Sequence, residues 1–332
     1  MRVVYRIIMQ WVKPAFVNCR RVSRLSGFFL LWLALLSGAG MHASASEAVA
    51  VTGASDEAEN FFLLANLEFT LLHEFSHMLI EELKLPVLGM EEDAADRIAL
   101  VTMLESRRDR TAAEAVPWLF AVAGDWYTEW ELKSGANAGA EAPAYWDNHN
   151  LEIQRFYHIV CLIFGGNAGL LEDLIDTEIL PFDRAMSCEQ EYRQARHAVG
   201  WVLENYGHSG GASTGHDMIA VNYAQALEGP NQRMYEWLRS SLLAEKLAAK
   251  VSARFKLPRP VTVEFENCVS NPDAYWHSQT ASVTVCYELL GHFLGVLEYR
   301  RQHSQRACGI PILRNLMGKH LRCEETESDS SK

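Results

Sequence analysis

Positive charge is scarce in this sequence. Lys and Arg number 30 against 42 Asp and Glu, a formal net charge of −12 over 332 residues. Neutralising phosphates needs clustered Lys and Arg, so the shortage argues against a nucleic-acid partner. Long apolar runs are missing too. The run Phe28–Leu36 falls well short of the roughly 20 residues that span a bilayer. No two cysteines stand in the CxxC spacing of a zinc ribbon or redox motif. GGNAG at 165–169 lacks the Lys and Ser/Thr of a nucleotide loop and reads as a helix terminator. There is no internal repeat of fixed period. What is left, 49% hydrophobic and 22% charged, is the composition of an ordinary folded chain. Its length allows one large domain or two small ones.

Acidic residues are absent altogether from the first 45 positions, which carry Arg2, Arg6, Lys13, Arg20, Arg21 and Arg24. Phe28–Leu36 follows, then a small-residue stretch in which Ala43 and Ala45 flank Ser44. A basic segment, an apolar segment and an Ala-x-Ala site, in that order, predict a signal peptide over 1–45. Cleavage would leave 24 basic against 42 acidic residues, a balance of −18. The mature chain is expected to be exported, periplasmic or secreted, with no stable membrane span. Of seven cysteines, Cys19 lies in the leader. The other six are an even number in an exported chain, which reads as disulfides. Sequential pairing, 161–188, 268–286 and 308–323, closes the shortest loops and is the pairing expected.

Helical periodicity begins near Ala58 and runs to Pro86 and Gly89, which make a turn. Further helices are expected from about Glu91, over 112–132, 149–164, 188–205 and 231–255, and from near Tyr287. Residues 133–148 and 207–217 read as loops. VTVEFENC (261–268) and ASVTVC (281–286) alternate and are β-branched, so a small antiparallel pair is expected. The tail 324–332 is charged, Ser-rich and expected to be disordered. The reading is a single domain over 46–323, mainly α, an α+β arrangement of helices with a small antiparallel sheet.

The strongest chemical signal is His73-Glu74-Phe75-Ser76-His77. Positions i and i+4 of a helix lie one turn apart on one face. Two imidazoles so placed can share a zinc ion, and the Glu beside the first can reach a zinc-bound water. A zinc site of this kind needs a third protein ligand. Glu92 stands fifteen residues after His77, and Asp96 follows it by one turn. The first would bind metal, and the second would accept the free ring N–H of a ligand histidine. Glu91 and Asp93 point about 100° to either side on a helix and come next in order. GHSGG (207–211) formally fits a GxSxG elbow, but a helix precedes it where a strand is needed, so Ser209 is not read as a nucleophile.

HExxH followed by a Glu-x-x-x-Asp helix resembles the gluzincin arrangement of zinc peptidases. More narrowly, HEFSHMLIEELKLPVLGMEEDAADRIA, HNLEIQRFYHIVCLIFG, LPFDRAMSCEQEY and VTVEFENC…CYELL resemble the DUF4344 metallopeptidase family over roughly 60–300. Met90 stands where many relatives carry Arg, a departure in the turn and not at a ligand. The resemblance implies a zincin-like helical domain holding Zn2+ through His73, His77 and Glu92. It implies Glu74 as general base and a peptide or protein as substrate. Related zinc peptidases take an oxyanion donor from a downstream His or Tyr. His149, which opens the second family block, is the first candidate and Tyr287 the second; Tyr157 and His158 have weaker claims. The alternative is a degenerate member that holds zinc structurally or binds partners through its helical surface. The intact Glu74 argues against it, because a binding module needs no base.

Overall fold

The computed structural model describes residues 57–135, 145–175, 177, 179–208, 218–225, 228–268 and 272–323. The expected signal peptide, the 324–332 tail, Ser209 and most of the two expected loops lie outside the described residues. All described residues fall within one compact unit, Gly53–Lys332.

Helix α1 (Glu57–Glu82) is the axis of the molecule. Residues on every side of it are buried, from Phe62 and Leu63 to Leu79 and Ile80. A helix apolar all round belongs inside a core and not on a surface, and α1 is packed by α2, α3, α8, α9, α11 and β3. The chain leaves it through Pro86 and a Gly89 at φ +115°, a left-handed position that glycine takes without strain. It returns as α2 (Glu91–Glu105), whose first turn, Glu91, Glu92 and Asp93, is acidic and suits the positive end of the helix dipole. Then come α3 (Ala112–Gly135), α4 (Glu152–Gly166), α5 (Ala168–Leu171) and α6 (Phe182–Tyr206).

The remaining chain is β1 (Ile219–Tyr223), α7 (Pro230–Ser241), α8 (Leu243–Arg254), β2 (Val261–Glu266), β3 (Ala274–His277), β4 (Ser282–Cys286), α9 (Tyr287–Gln302), α10 (Gln305–Gly309) and α11 (Pro311–Leu321). The fold is mainly helical with a small sheet, as expected. Two details differ. The helix expected over 231–255 is broken at Leu242, which sits at φ 52° and ends α7 before α8 begins. The sheet is not an antiparallel pair. It has four strands in the order β1-β2-β4-β3. β1, β2 and β4 run parallel, with Val263 opposite Val221 and Val283, and only β3 is antiparallel to β4. The reason is topological. β3 turns straight back into β4 and takes its free edge, so β2 is left on the other side, pointing the same way. Every residue of β4 is buried, as suits an interior strand with both faces covered.

The disulfides pair sequentially: Cys161–Cys188, Cys268–Cys286 and Cys308–Cys323. Three such bonds fit an oxidising compartment. Among the described residues, no helix is long and apolar enough to cross a membrane.

Candidate metal centre

The turn between α1 and α2 lays the start of α2 beside the middle of α1. His73 and His77 project from one face of α1, and Glu92 projects from the first turn of α2. Their ligand atoms converge. His73 Nε2 and His77 Nε2 are 3.1 Å apart, and Glu92 Oε2 is 3.2 Å from the first and 3.3 Å from the second. These sides are close to those of one face of a tetrahedron, which for bonds of about 2.0–2.1 Å has edges of about 3.3–3.4 Å.

The outer nitrogens explain why the inner ones face each other. His73 Nδ1 lies 2.8 Å from Asp96 Oδ1, and His77 Nδ1 lies 2.8 Å from Glu91 Oε1. A carboxylate that accepts a hydrogen bond from Nδ1–H fixes the neutral ring in the tautomer whose Nε2 is a bare lone pair. Asp96 is itself fixed by Arg155, whose Nε donates to Oδ2 at 2.8 Å and whose Nη2 donates to Oδ1 at 2.6 Å. The Arg155 guanidinium lies over the Trp126 ring, 3.6 Å from its centroid. Two imidazole lone pairs and a carboxylate oxygen therefore point at one place. Glu92 Oε2 is buried without a satisfied hydrogen bond. Two imidazole nitrogens and a carboxylate oxygen converging at these distances fit a divalent metal.

The charges respond accordingly. Burial opposes a charge on His77, but the Glu92 and Glu91 carboxylates push its pKa up to about 9. Burial also works against an ionised Asp96, yet Arg155 and His73 hold it down to about 2. Despite burial, the His149, His73 and His77 rings hold Glu92 well below the usual carboxylate range. Glu74 is different. Burial pushes its carboxyl up to about 7, against the pull of the His73 and His77 rings.

Glu74 and His73 open onto a cleft of about 400 Å³ that Asp125, Glu129, His149, Asp273 and His292 also line. Among the described residues, Glu74 makes no side-chain hydrogen bond. His149 arrives from the segment before α4. Its Nε2 stands 3.1 Å from Glu92 Oε2 and its Nδ1 3.1 Å from Asp147 Oδ1. The structure thus brings together His73, Glu74, His77, Glu92, Asp96 and His149. It does not bring Tyr287 there: that ring is fully buried, and its hydroxyl donates to the Ala224 carbonyl at 2.6 Å. Tyr157 and His158 do not line the cleft.

Several contributors were not visible in the sequence. Glu91 supports His77 from the position next to Glu92, a contact between α1 and α2 that spacing along one helix does not record. Arg155 and Asp125 come from α4 and α3. The only signal for either was a charged residue in a mostly apolar stretch. Asp125 is buried with Oδ1 unpaired, and burial together with Glu129 pushes its carboxyl up to about 7.

Residues 40–203 and 223–317 match the DUF4344 family model, whose description reads “Putative metallopeptidase”. No curated protein and no solved structure matches the chain.

Proposed function

The chain belongs to the DUF4344 family, and from that premise we propose that it is an exported zinc-dependent peptidase. His73, His77 and Glu92 would hold the ion, and the observation that carries the reading is their convergence beside an unengaged Glu74. A zinc ion bound there would supply a Lewis acid and would bring the pKa of a coordinated water down toward about 7. Glu74 would be the group that accepts its proton. A carboxylate whose pKa is raised to about 7 is a base matched to neutral pH. Asp96 and Glu91 hold the two rings in the tautomer that leaves Nε2 free. His149, which lines the same cleft as Glu74 with its Nε2 against Glu92, is the candidate donor to the oxyanion of a peptide carbonyl. The three disulfides and the basic-apolar-small order of residues 1–45 support export to an oxidising compartment, with the domain over 46–323 as the mature enzyme.

Two substitutions separate binding from chemistry. His77→Ala should lose the metal, because two remaining ligands do not make a tetrahedral site. Glu74→Gln should keep it and lose peptide hydrolysis by roughly 10²–10⁴-fold. Metal content by mass spectrometry and cleavage of a peptide library read the two effects. Wild-type metal content in His77→Ala would remove the site, and undiminished cleavage by Glu74→Gln would remove the peptidase reading.

A further inference from the structure

A larger cavity, of about 1010 Å³, lies on the opposite face of α1. Glu68, Leu72, Phe75, Ser76 and Leu79 face it, whereas Phe69, Thr70, His73 and Glu74 face the metal cleft. At about 100° per residue the two sets are on roughly opposite sides of the helix. The walls are apolar. α1 gives Phe75 and Leu79, α2 gives Val101, α6 gives Val202 and Leu203, and α8 gives Val251. α6 and α8 meet at their C-terminal ends, where Lys256 N donates to Tyr206 O at 3.2 Å and His208 N to Arg254 O at 3.0 Å. The cavity lies between the two helices, over α1 and α2.

Its rim is cationic in a chain whose net charge is −12. Arg193 and Arg196 of α6 and Lys250 and Arg254 of α8 all line it and are exposed. Its two carboxylates are already engaged. Glu68 accepts from Trp118 Nε1 at 2.6 Å and from Arg107. Glu105 accepts from Arg196 at 2.9 Å and Arg108 at 3.0 Å. Arg193 is paired with Glu189 at 2.7 Å. Lys250 and Arg254, one turn apart on α8, have no carboxylate partner among the described residues. Apolar walls under an uncompensated pair of cations are complementary to an amphiphile with an anionic head. The accessible part of the walls is Ile98, Val199, Val202, Leu203 and Phe255, all half-buried, while Phe75, Leu79 and Val101 are already covered. A single alkyl chain is narrow enough to lie along such a strip, and its burial there removes apolar surface from water.

We propose that this cavity binds a long-chain fatty acid, with the alkyl chain between α1, α2, α6 and α8 and the carboxylate at Lys250 and Arg254. The site is separate from the metal cleft, and the proposal does not depend on peptidase activity. Palmitate is titrated calorimetrically into the purified full chain, with and without chelator, and hexadecanol serves as the neutral control. The expected result is one palmitate per chain, hexadecanol bound at least roughly ten-fold more weakly, and the same affinity after chelation. The exposed double change Lys250→Glu with Arg254→Glu should weaken palmitate at least roughly ten-fold without altering the thermal melt. Leu203→Trp, which fills the cavity from a half-buried wall position, should abolish it. Absence of saturable binding would overturn the proposal. So would equal affinity for hexadecanol, or wild-type affinity in the charge-reversed chain. Self-association through this face that palmitate does not disperse would assign the groove to a second copy of the chain, and would also overturn it.

Discussion

Asp125 shows at the scale of one residue how burial becomes a dependence on pH. It stands on α3 with one oxygen unpaired, and its carboxyl ionises near pH 7 in the folded chain against an ordinary 3.8. Between those values the folded chain holds a proton that the unfolded chain has lost. Stability from this group is therefore complete below about pH 4 and falls as pH rises through 7. At about 1.4 kcal/mol per pH unit, the upper bound on the loss is about 4 kcal/mol. Asp125→Asn cannot ionise. It should match the parent near pH 4 and exceed it in stability by pH 8, as measured by urea unfolding across that range. Other titrating groups are common to both proteins and cancel in the difference. A constant offset at all pH values would show that Asp125 does not titrate with folding. The residue also marks where the sequence became unreadable. His73, His77 and Glu92 could be found because each pairing is local, one helical turn or one helix-turn apart. Asp125, Arg155 and Glu91 act through contacts between elements, and spacing along the chain carries no record of them.

Elements were legible wherever one helix or strand was at issue, and less so where two had to pack. The sheet is the instructive case. Cys268 follows the end of β2 and Cys286 ends β4, and these two are bonded. Strands whose C-terminal ends are tied together run parallel, so the expected disulfide and the expected antiparallel pairing excluded each other. The bond itself held the information. A second close contact joins α4 to α6. Cys161 and Gly165 lie one turn apart on α4, and they face Cys188 and Tyr192, one turn apart on α6. A methyl group added at Gly165 would stand 2.2 Å from the Cys188 carbonyl oxygen and 2.8 Å from Tyr192 Cβ. The first of these is backbone, and the Cys161–Cys188 bond, with Cα atoms 4.8 Å apart, keeps α6 from retreating. Alanine favours a helix over glycine by about 1 kcal/mol, while forced overpacking costs typically about 1–3 kcal/mol. The contact should win. Gly165→Ala is expected to lower stability by up to about 2 kcal/mol, read from the urea midpoint. A raised midpoint would mean that the two helices can separate.

For the molecule as a whole, the three disulfides are spread so that each fastens a different region. Cys161–Cys188 ties α4 to α6, Cys268–Cys286 ties β2 to β4, and Cys308–Cys323 closes α10 and α11. None of them joins α1 to α2, the two helices that carry His73, His77 and Glu92. That junction rests on packing, on the short turn through Gly89 and, in the proposed enzyme, on the ion that His73, His77 and Glu92 would share. Reduction and metal removal should therefore act separately. The bonds close loops spanning 27, 18 and 15 residues, each worth on the order of 3 kcal/mol in the chain-entropy account. Against a typical total stability of about 5–15 kcal/mol, losing all three removes much of the margin. Treatment with a phosphine reductant, which spares the metal, should lower the melting temperature by on the order of 10–20 °C. Metal content should be unchanged below the new midpoint, because no reduced thiol lies among His73, His77 and Glu92. Chelation should lower the melt of the oxidised and the reduced chain by similar amounts. A reduced protein that lost its metal while still folded would show that the bridges hold the centre together through the scaffold, and that the α1–α2 pair does not stand without them.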